Sequence, residues 1–151
     1  MDEQYMRRAL ALAAEAAEDG EVPVGAVLVR HGEIIGRGRN RREVDKNALA
    51  HAELEAIHEA CRNAGGWRLT DSTLYVTLEP CPMCAGAIIN ARIDRVVFGA
   101  SDPKAGSCGS LTDLFAMPYN HHPQVTAGVL EEECAALLRD FFARLRARRK
   151  G

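Results

Sequence analysis

His51-Ala52-Glu53 and Pro80-Cys81-Pro82-Met83-Cys84 stand thirty residues apart, and each opens a stretch of helical character. Three residues is about one helical turn, so Cys81 and Cys84 can grip one ion from a single helix start. An imidazole and two sulfurs make three of the four ligands in a tetrahedral zinc site, and three protein ligands leave a position for water, as catalytic sites do. A chain using these residues together must fold so that two helix N-termini, remote in sequence, meet at one point. The positive ends of both helix dipoles would then favour thiolates there.

Zn²⁺, two thiolates and a neutral imidazole sum to zero charge. Such an ion is a weaker Lewis acid than one held by three histidines, so a carboxylate base that is not itself a ligand is needed nearby. Glu53 and Glu55 both follow His51. In mid-helix, residues two apart point to nearly opposite sides, and Glu55, four on from His51, shares its face better. Glu53 converges with His51 only if the ion sits end-on to the first turn. Because both motifs stand at helix starts, Glu53 is the expected acid/base.

The rest of the chain reads as one domain over residues 1–151. Its 151 residues, 47% of them hydrophobic, suit a single packed core. Met6, Leu10, Ala13, Ala14 and Ala17 recur at helical spacing, with Gly20 where that helix would stop. Val24 to Val29 and Ile34-Ile35-Gly36 flank the turn Arg30-His31-Gly32-Glu33 and predict a hairpin. A second helix is expected from about His51 to Arg62 and a third from about Pro82 to Ala91. Strands are expected at Thr73 to Leu78, Arg95 to Gly99 and, more weakly, Val125 to Val129. Leu130, Cys134, Leu137, Leu138, Phe141, Phe142 and Leu145 mark a strongly amphipathic last helix. A hairpin followed by alternating helices and strands implies α/β: a mixed, about five-stranded sheet with helices on both faces, a three-layer α/β/α sandwich. Ser101 to Asn120, rich in Gly, Ser and Pro, reads as a structured surface loop able to carry binding residues. Cys61 and Cys134 are expected as small core residues, His58 on or near the surface, His31 in the hairpin turn and Trp67 capping the core.

Nineteen basic against 21 acidic residues give a net charge of −2, so no global field attracts nucleic acid. The charge is uneven, however. Arg37 to Lys46 is basic, and so is the end of the chain, with Arg139, Arg144, Arg146, Arg148, Arg149 and Lys150. These cations could hold phosphates or simply complement the negative end of a C-terminal helix. The polar, acidic N-terminus is unlike a signal peptide, and no apolar run approaches the ~18 residues of a membrane span. A cytoplasmic location is expected, where paired cysteines mean metal or redox chemistry more often than disulfides.

His-x-Glu with Pro-Cys-x-x-Cys is an established signature of zinc nucleobase deaminases. The likeness extends well beyond it. Glu21-Val22-Pro23-Val24-Gly25-Ala26-Val27, Gly38-x-Asn40, Thr77-Leu78-Glu79-Pro80-Cys81-Pro82-Met83-Cys84-Ala85-Gly86-Ala87, Gly99-Ala100-Ser101-Asp102-Pro103-Lys104 and Gly109-Ser110-Leu111 resemble the bacterial tRNA-specific adenosine deaminase family, from about Tyr5 to Phe142. The resemblance implies a cytidine-deaminase-like fold, a homodimer and one Zn²⁺ per subunit. It implies hydrolytic deamination of adenosine to inosine at the wobble position of a tRNA anticodon stem-loop, usually of an arginine tRNA. By position, His51, Cys81 and Cys84 would hold zinc and Glu53 would shuttle protons. Asn40, the Ala52 backbone, Val22 and Leu78 would receive the flipped base, while Asp102, Lys104 and Asn120 would meet the neighbouring nucleotides.

Other readings compete. Cys-x-x-Cys after a strand is also the thioredoxin-like redox arrangement. A structural zinc could recruit Cys108, His121 or His122 as fourth ligand. Guanine, cytosine and deoxycytidylate deaminases share the bare motif, although free cytidine deaminases tend to place Cys where His51 stands. A non-catalytic RNA-binding partner of a deaminase would have no use for Glu53.

Overall fold

In the computed structural model, residues 1–150 are described; Gly151, the last residue of the expected domain, and the side chain of Lys150 lie outside the described residues. Helix α1 (Asp2–Glu18) buries Met6, Ala9, Ala13 and Ala16, one small or flexible side chain per turn. Two strands follow, β1 (Gly25–Arg30) and β2 (Glu33–Arg39). His31 and Gly32 join them with φ of 52° and 76°, the pair of positive angles that a tight two-residue hairpin requires. Helix α2 (Ala52–Ala64) ends on Gly65 in the left-handed conformation, which only glycine adopts without strain. Then come β3 (Ser72–Leu78), α3 (Pro82–Asn90), β4 (Arg95–Ala100), β5 (Gln124–Ala127) and α4 (Glu131–Lys150).

The five strands form one sheet in the order β2-β1-β3-β4-β5. Strand β1 runs antiparallel to both neighbours, whereas β3, β4 and β5 run parallel. Central strands are covered on both faces, which is why β1, β3 and β4 read as nearly continuous apolar runs rather than as alternation. On one face Ala52, Ala56 and Ala60 of α2 and Ala85 and Ile88 of α3 pack onto Ala26, Leu28, Leu74, Val76, Val96 and Phe98. On the other, Met6 and Ala9 of α1 and Cys134 of α4 pack onto Val27, Val29, Tyr75 and Val97. The expected three-layer α/β/α sandwich with a mixed five-stranded sheet is therefore the architecture.

Several details depart from expectation. Trp67 does not cap the core: it is 52% exposed, with the Arg68 guanidinium 4.4 Å from its ring centroid, so the ring is stacked by a cation instead of buried. Cys61 is only half-buried, while Cys134 is fully packed. The segment after β4 is, as expected, a structured loop: Gly106, Ser107, Cys108 and Phe115 are buried and a short 3₁₀ turn spans Leu114–Ala116. Helix α4 covers less than its apolar pattern suggests: Phe142 stays 39% exposed, because the helix runs on past the sheet.

Candidate metal centre and active-site cavity

Two chain segments deliver the donors. Strand β3 ends at Leu78, and Glu79-Pro80 carries the chain to Cys81, the N-cap of α3, with φ −76° and ψ 175°. His51 is likewise the N-cap of α2, with φ −83° and ψ 151°. N-cap residues usually spend their side chains on the first free backbone N–H groups. Neither His51 nor Cys81 makes such a bond, so both side chains are free to point at a shared centre. Cys84, one turn into α3, is fully buried. His51 Nδ1 lies 3.6 Å from Cys81 Sγ and 3.5 Å from Cys84 Sγ, and the three donor atoms lie within 4.8 Å of one another.

The extended backbone at His51 bears on which carboxylate faces the donors. Because residue 51 is not yet helical, the rule that residues two apart diverge does not apply to it. Glu53 is 4% exposed and lines the same cavity as His51 and Cys81. Glu55 lines a different groove with Leu12, Arg37, Arg39 and Arg41.

The charges agree with a cation site. The Cys81 thiol is drawn down to about 4 by hydrogen bonds from Cys84 and then His51, against burial. The same hydrogen bond and burial push Cys84 up, and the bond to Cys81 raises His51. Of the three groups, the Cys81 sulfur is the one drawn toward the anion, in a half-buried spot beside an imidazole and a second sulfur. Soft thiolates with an imidazole suit zinc, and the donor set fits that ion. Burial lifts Glu53 to about 7, a value at which a carboxyl can both accept and return a proton near neutral pH.

Other candidate ligands are occupied elsewhere. His121 Nε2 meets the Ile93 carbonyl at 2.7 Å and His122 Nδ1 the Phe115 carbonyl at 2.8 Å. Cys108 donates its backbone N–H to Glu79 and is no member of the donor group. Among the described residues no fourth protein ligand joins the three, which removes the basis for a closed structural zinc.

The cavity beside the donors holds about 590 Å³, well within the range for a bound small molecule or nucleotide. Val22, Asn40, Ala52, Leu78, Asp102 and Lys104 all line it. Asn40 is 6% exposed; its amide donates to the Val22 carbonyl, and its oxygen accepts from the Arg42 backbone N–H. Asn120 is exposed and does not line the cavity. Arg42, Leu138 and Phe142 line it too, Arg42 from the basic run and the other two from the apolar face of the last helix, none of them expected at the base pocket. The cavity opens where β3 and β4 end, the usual place for ligands in parallel sheets.

Two buried carboxylates brace its walls, Glu79 as one of the lining residues and Glu21 from behind them. Glu21 accepts from the backbone N–H groups of Glu43 (3.1 Å) and Val44 (2.7 Å), which anchors the basic segment before α2. Glu79 accepts from Asp102, Cys108 and Ser110. Burial alone would raise Glu79, but those hydrogen bonds outweigh it and hold the carboxyl below its ordinary range. Asp102 is itself a loop builder, since its side chain accepts from the N–H groups of Lys104 (3.0 Å) and Ala105 (3.2 Å).

The MafB19-like deaminase family matches residues 1–146, so by class the chain is a deaminase. A tRNA-specific adenosine deaminase of Bacillus subtilis is 54% identical over 150 residues, 99% of this chain and 93% of its own. A structure described in studies of A-to-I editing by tRNA:A34 deaminases at the wobble position superimposes with a TM-score of 0.86 at 47% identity, covering 89% of this chain and 99% of that one. A guanine deaminase from Bacillus subtilis is more distant, with a TM-score of 0.64 and 33% identity over 99% of this chain and 94% of that one. The chain belongs to the tRNA-specific adenosine deaminase family.

Proposed function

We propose that the protein deaminates adenosine to inosine at the wobble position of a tRNA anticodon stem-loop, with arginine tRNA as the expected substrate. The observation that carries this reading is Glu53: a buried carboxyl placed beside the His51, Cys81 and Cys84 donors, at the floor of a cavity with apolar Val22 and Leu78 in its walls. His51 Nδ1 and the sulfurs of Cys81 and Cys84 would hold one zinc ion per subunit. Bound there, zinc supplies Lewis-acid activation of water for attack at neutral pH. Glu53 accepts the proton of the attacking water and returns it to the purine; the C6–N bond breaks and ammonia leaves. Val22, Leu78 and the Ala52 backbone enclose the base, and Asn40, fixed through both ends of its amide, presents a rigid polar edge. Lys104 and Arg42 at the rim offer cations to the phosphates that enter with it.

An anticodon loop suits this site, because its wobble base is already unpaired and extrusion is cheap. Guanine as a free base would leave the rim cations and the wall of α4 without a role. A homodimer and a cytoplasmic location belong to the same proposal. Among the described residues no helix is long and apolar enough to cross a membrane. The deciding experiment incubates zinc-loaded protein with total tRNA, free adenosine and free guanine. Inosine confined to the wobble position, with both free substrates intact, is the expected result. Turnover of guanine alone would overturn the substrate while leaving the chemistry.

A further inference from the structure

Glu79 is 2% exposed, takes no part in the proton transfers above, and yet meets four donors from one loop. Oε1 accepts from the Asp102 backbone N–H at 3.0 Å and from the Ser110 hydroxyl. Oε2 accepts from the backbone N–H groups of Cys108 (3.0 Å) and Ser110 (3.1 Å). Gly106 closes the wrap: a Cβ there would lie 2.4 Å from the Glu79 carboxyl carbon and 2.4 Å from the Asp102 carbonyl oxygen. The loop so gathered supplies Ser101, Asp102, Pro103, Lys104 and Ala105 to the cavity wall.

Burying an ionised carboxylate is unfavourable unless its lone pairs are matched, so this group must return something for its place. It holds no helix and bridges no strands. What it fixes is the backbone of residues 102 to 110, and through Asp102 the turn at Lys104 and Ala105. A loop ordered before binding spares the complex the entropy of ordering it afterwards. We infer that Glu79 is a positioning residue for the substrate, presetting the 101–110 loop so that Asp102 and Lys104 meet the RNA in a fixed wall. The inference rests on reading the cavity as the tRNA site.

Glu79→Gln tests it atom by atom. An amide keeps one oxygen and gains one NH₂. The Oε2 side faces two backbone N–H groups and can hold only the oxygen, so the NH₂ falls on the Oε1 side. There the Ser110 hydroxyl can turn and accept, but the Asp102 N–H loses its partner. The expected result with an anticodon stem-loop carrying the target adenosine is a KM raised about tenfold, with kcat and zinc content near wild type. Amide exchange should quicken at Asp102 while Cys108 and Ser110 stay protected. An unchanged KM, with or without a joint fall in kcat and zinc content, would overturn the inference and leave Glu79 as a support for the neighbouring Cys81. Should Glu79→Gln fail to fold, Ser110→Ala removes one exposed donor and should raise KM about threefold; no change there is equally fatal. Wild-type protein that leaves the stem-loop untouched overturns the tRNA reading and this inference together, whereas wild-type turnover with unaltered variant KM overturns the inference alone.

Discussion

Gly38 and Ala52 meet backbone to backbone: a Cβ on residue 38 would lie 2.1 Å from the Ala52 carbonyl oxygen and 2.8 Å from the Ala56 nitrogen. Gly36 repeats the approach one turn on, where a Cβ would sit 2.1 Å from the Ala56 oxygen. Helix α2 therefore rests in a trough of β2 that exists only because two side chains are missing. The first turn of α2 carries Glu53, with His51 just ahead of Ala52, so the depth of that trough sets where the proposed acid/base and one proposed metal donor stand. Gly38→Ala must lift this turn. Overpacking of this kind costs about 1–3 kcal/mol, and zinc per chain should fall with it. Calorimetry and metal analysis of the variant check both; wild-type stability with full zinc content would mean that the helix start yields without consequence.

Glu53 and Glu55 offer a direct comparison, because they share a helix and a charge but face different clefts. Glu53→Gln keeps the volume and removes the proton shuttle, so kcat should drop by about 10²–10⁴-fold with zinc retained. Glu55→Ala should stay near wild-type turnover. Steady-state rates and metal content of the two variants suffice. Were Glu55→Ala the inactive one, the assignment of the carboxylate would have to be exchanged.

Why the His51, Cys81 and Cys84 cluster was legible in the sequence is a matter of locality. Cys81 and Cys84 lie one helical turn apart, and His51-Ala52-Glu53 is a contiguous motif, so spacing alone carried the chemistry. The layers were legible for a similar reason: the hairpin at His31-Gly32 and the apolar runs of β3 and β4 are short-range patterns. Glu53 was preferred to Glu55 because the motif stands at a helix start, and the extended N-cap conformation of His51 supplies the geometry which that preference assumed. Glu21 and Glu79 were harder still. Their donors are backbone N–H groups 22 to 31 residues away, and a backbone amide leaves no mark in the sequence. Trp67 went astray because the choice between core and surface was made by two arginines, Arg68 and Arg92, stacking around its ring.

Asp2 ties the first turn of α1 to the start of β4. Its carboxylate takes two bonds from Arg95, at 3.0 and 2.7 Å, and one from the Tyr75 hydroxyl at 2.8 Å. The Arg95 hydrogen bonds hold Asp2 below its ordinary value in spite of burial, and burial with the Asp2 bond lifts Tyr75 to about 12. A folded-state value below the unfolded one gives stability that is present above the unfolded value of 3.8 and lost as pH falls through the folded one. Because the pair is partly solvated, its worth is about 0.5–1 kcal/mol. Asp2→Asn should therefore be less stable than wild type at pH 7 by that amount, and the gap should close below about pH 4. Denaturant titrations at pH 7 and pH 3 measure it; a gap that widened in acid would contradict the sign.

Helix α4 brings Leu138 and Phe142 to the cavity wall, and Arg144, Arg146, Arg148 and Arg149 follow on its next turns. Its first turn holds Glu131, Glu132 and Glu133, so acids at the start and bases at the end already suit the helix dipole. Two roles for the arginines make different predictions. As dipole partners they would contribute about 0.3–1 kcal/mol each to stability and nothing to substrate affinity. As phosphate ligands they would contribute to affinity in a salt-dependent way. Because α4 reaches the cavity wall at Leu138 and Phe142 before its basic turns begin, RNA bound in the proposed site would have phosphates within range of that end of the helix. Reversing Arg146, Arg148 and Arg149 to Glu should raise the KM for tRNA with kcat little changed. The slope of log affinity against log salt should shrink by roughly 0.7–0.9 for each phosphate no longer neutralised. Kinetics at several salt concentrations, set beside thermal unfolding of the same variant, separate the two roles: a lowered melting point with unmoved KM and slope would assign the arginines to the helix end alone.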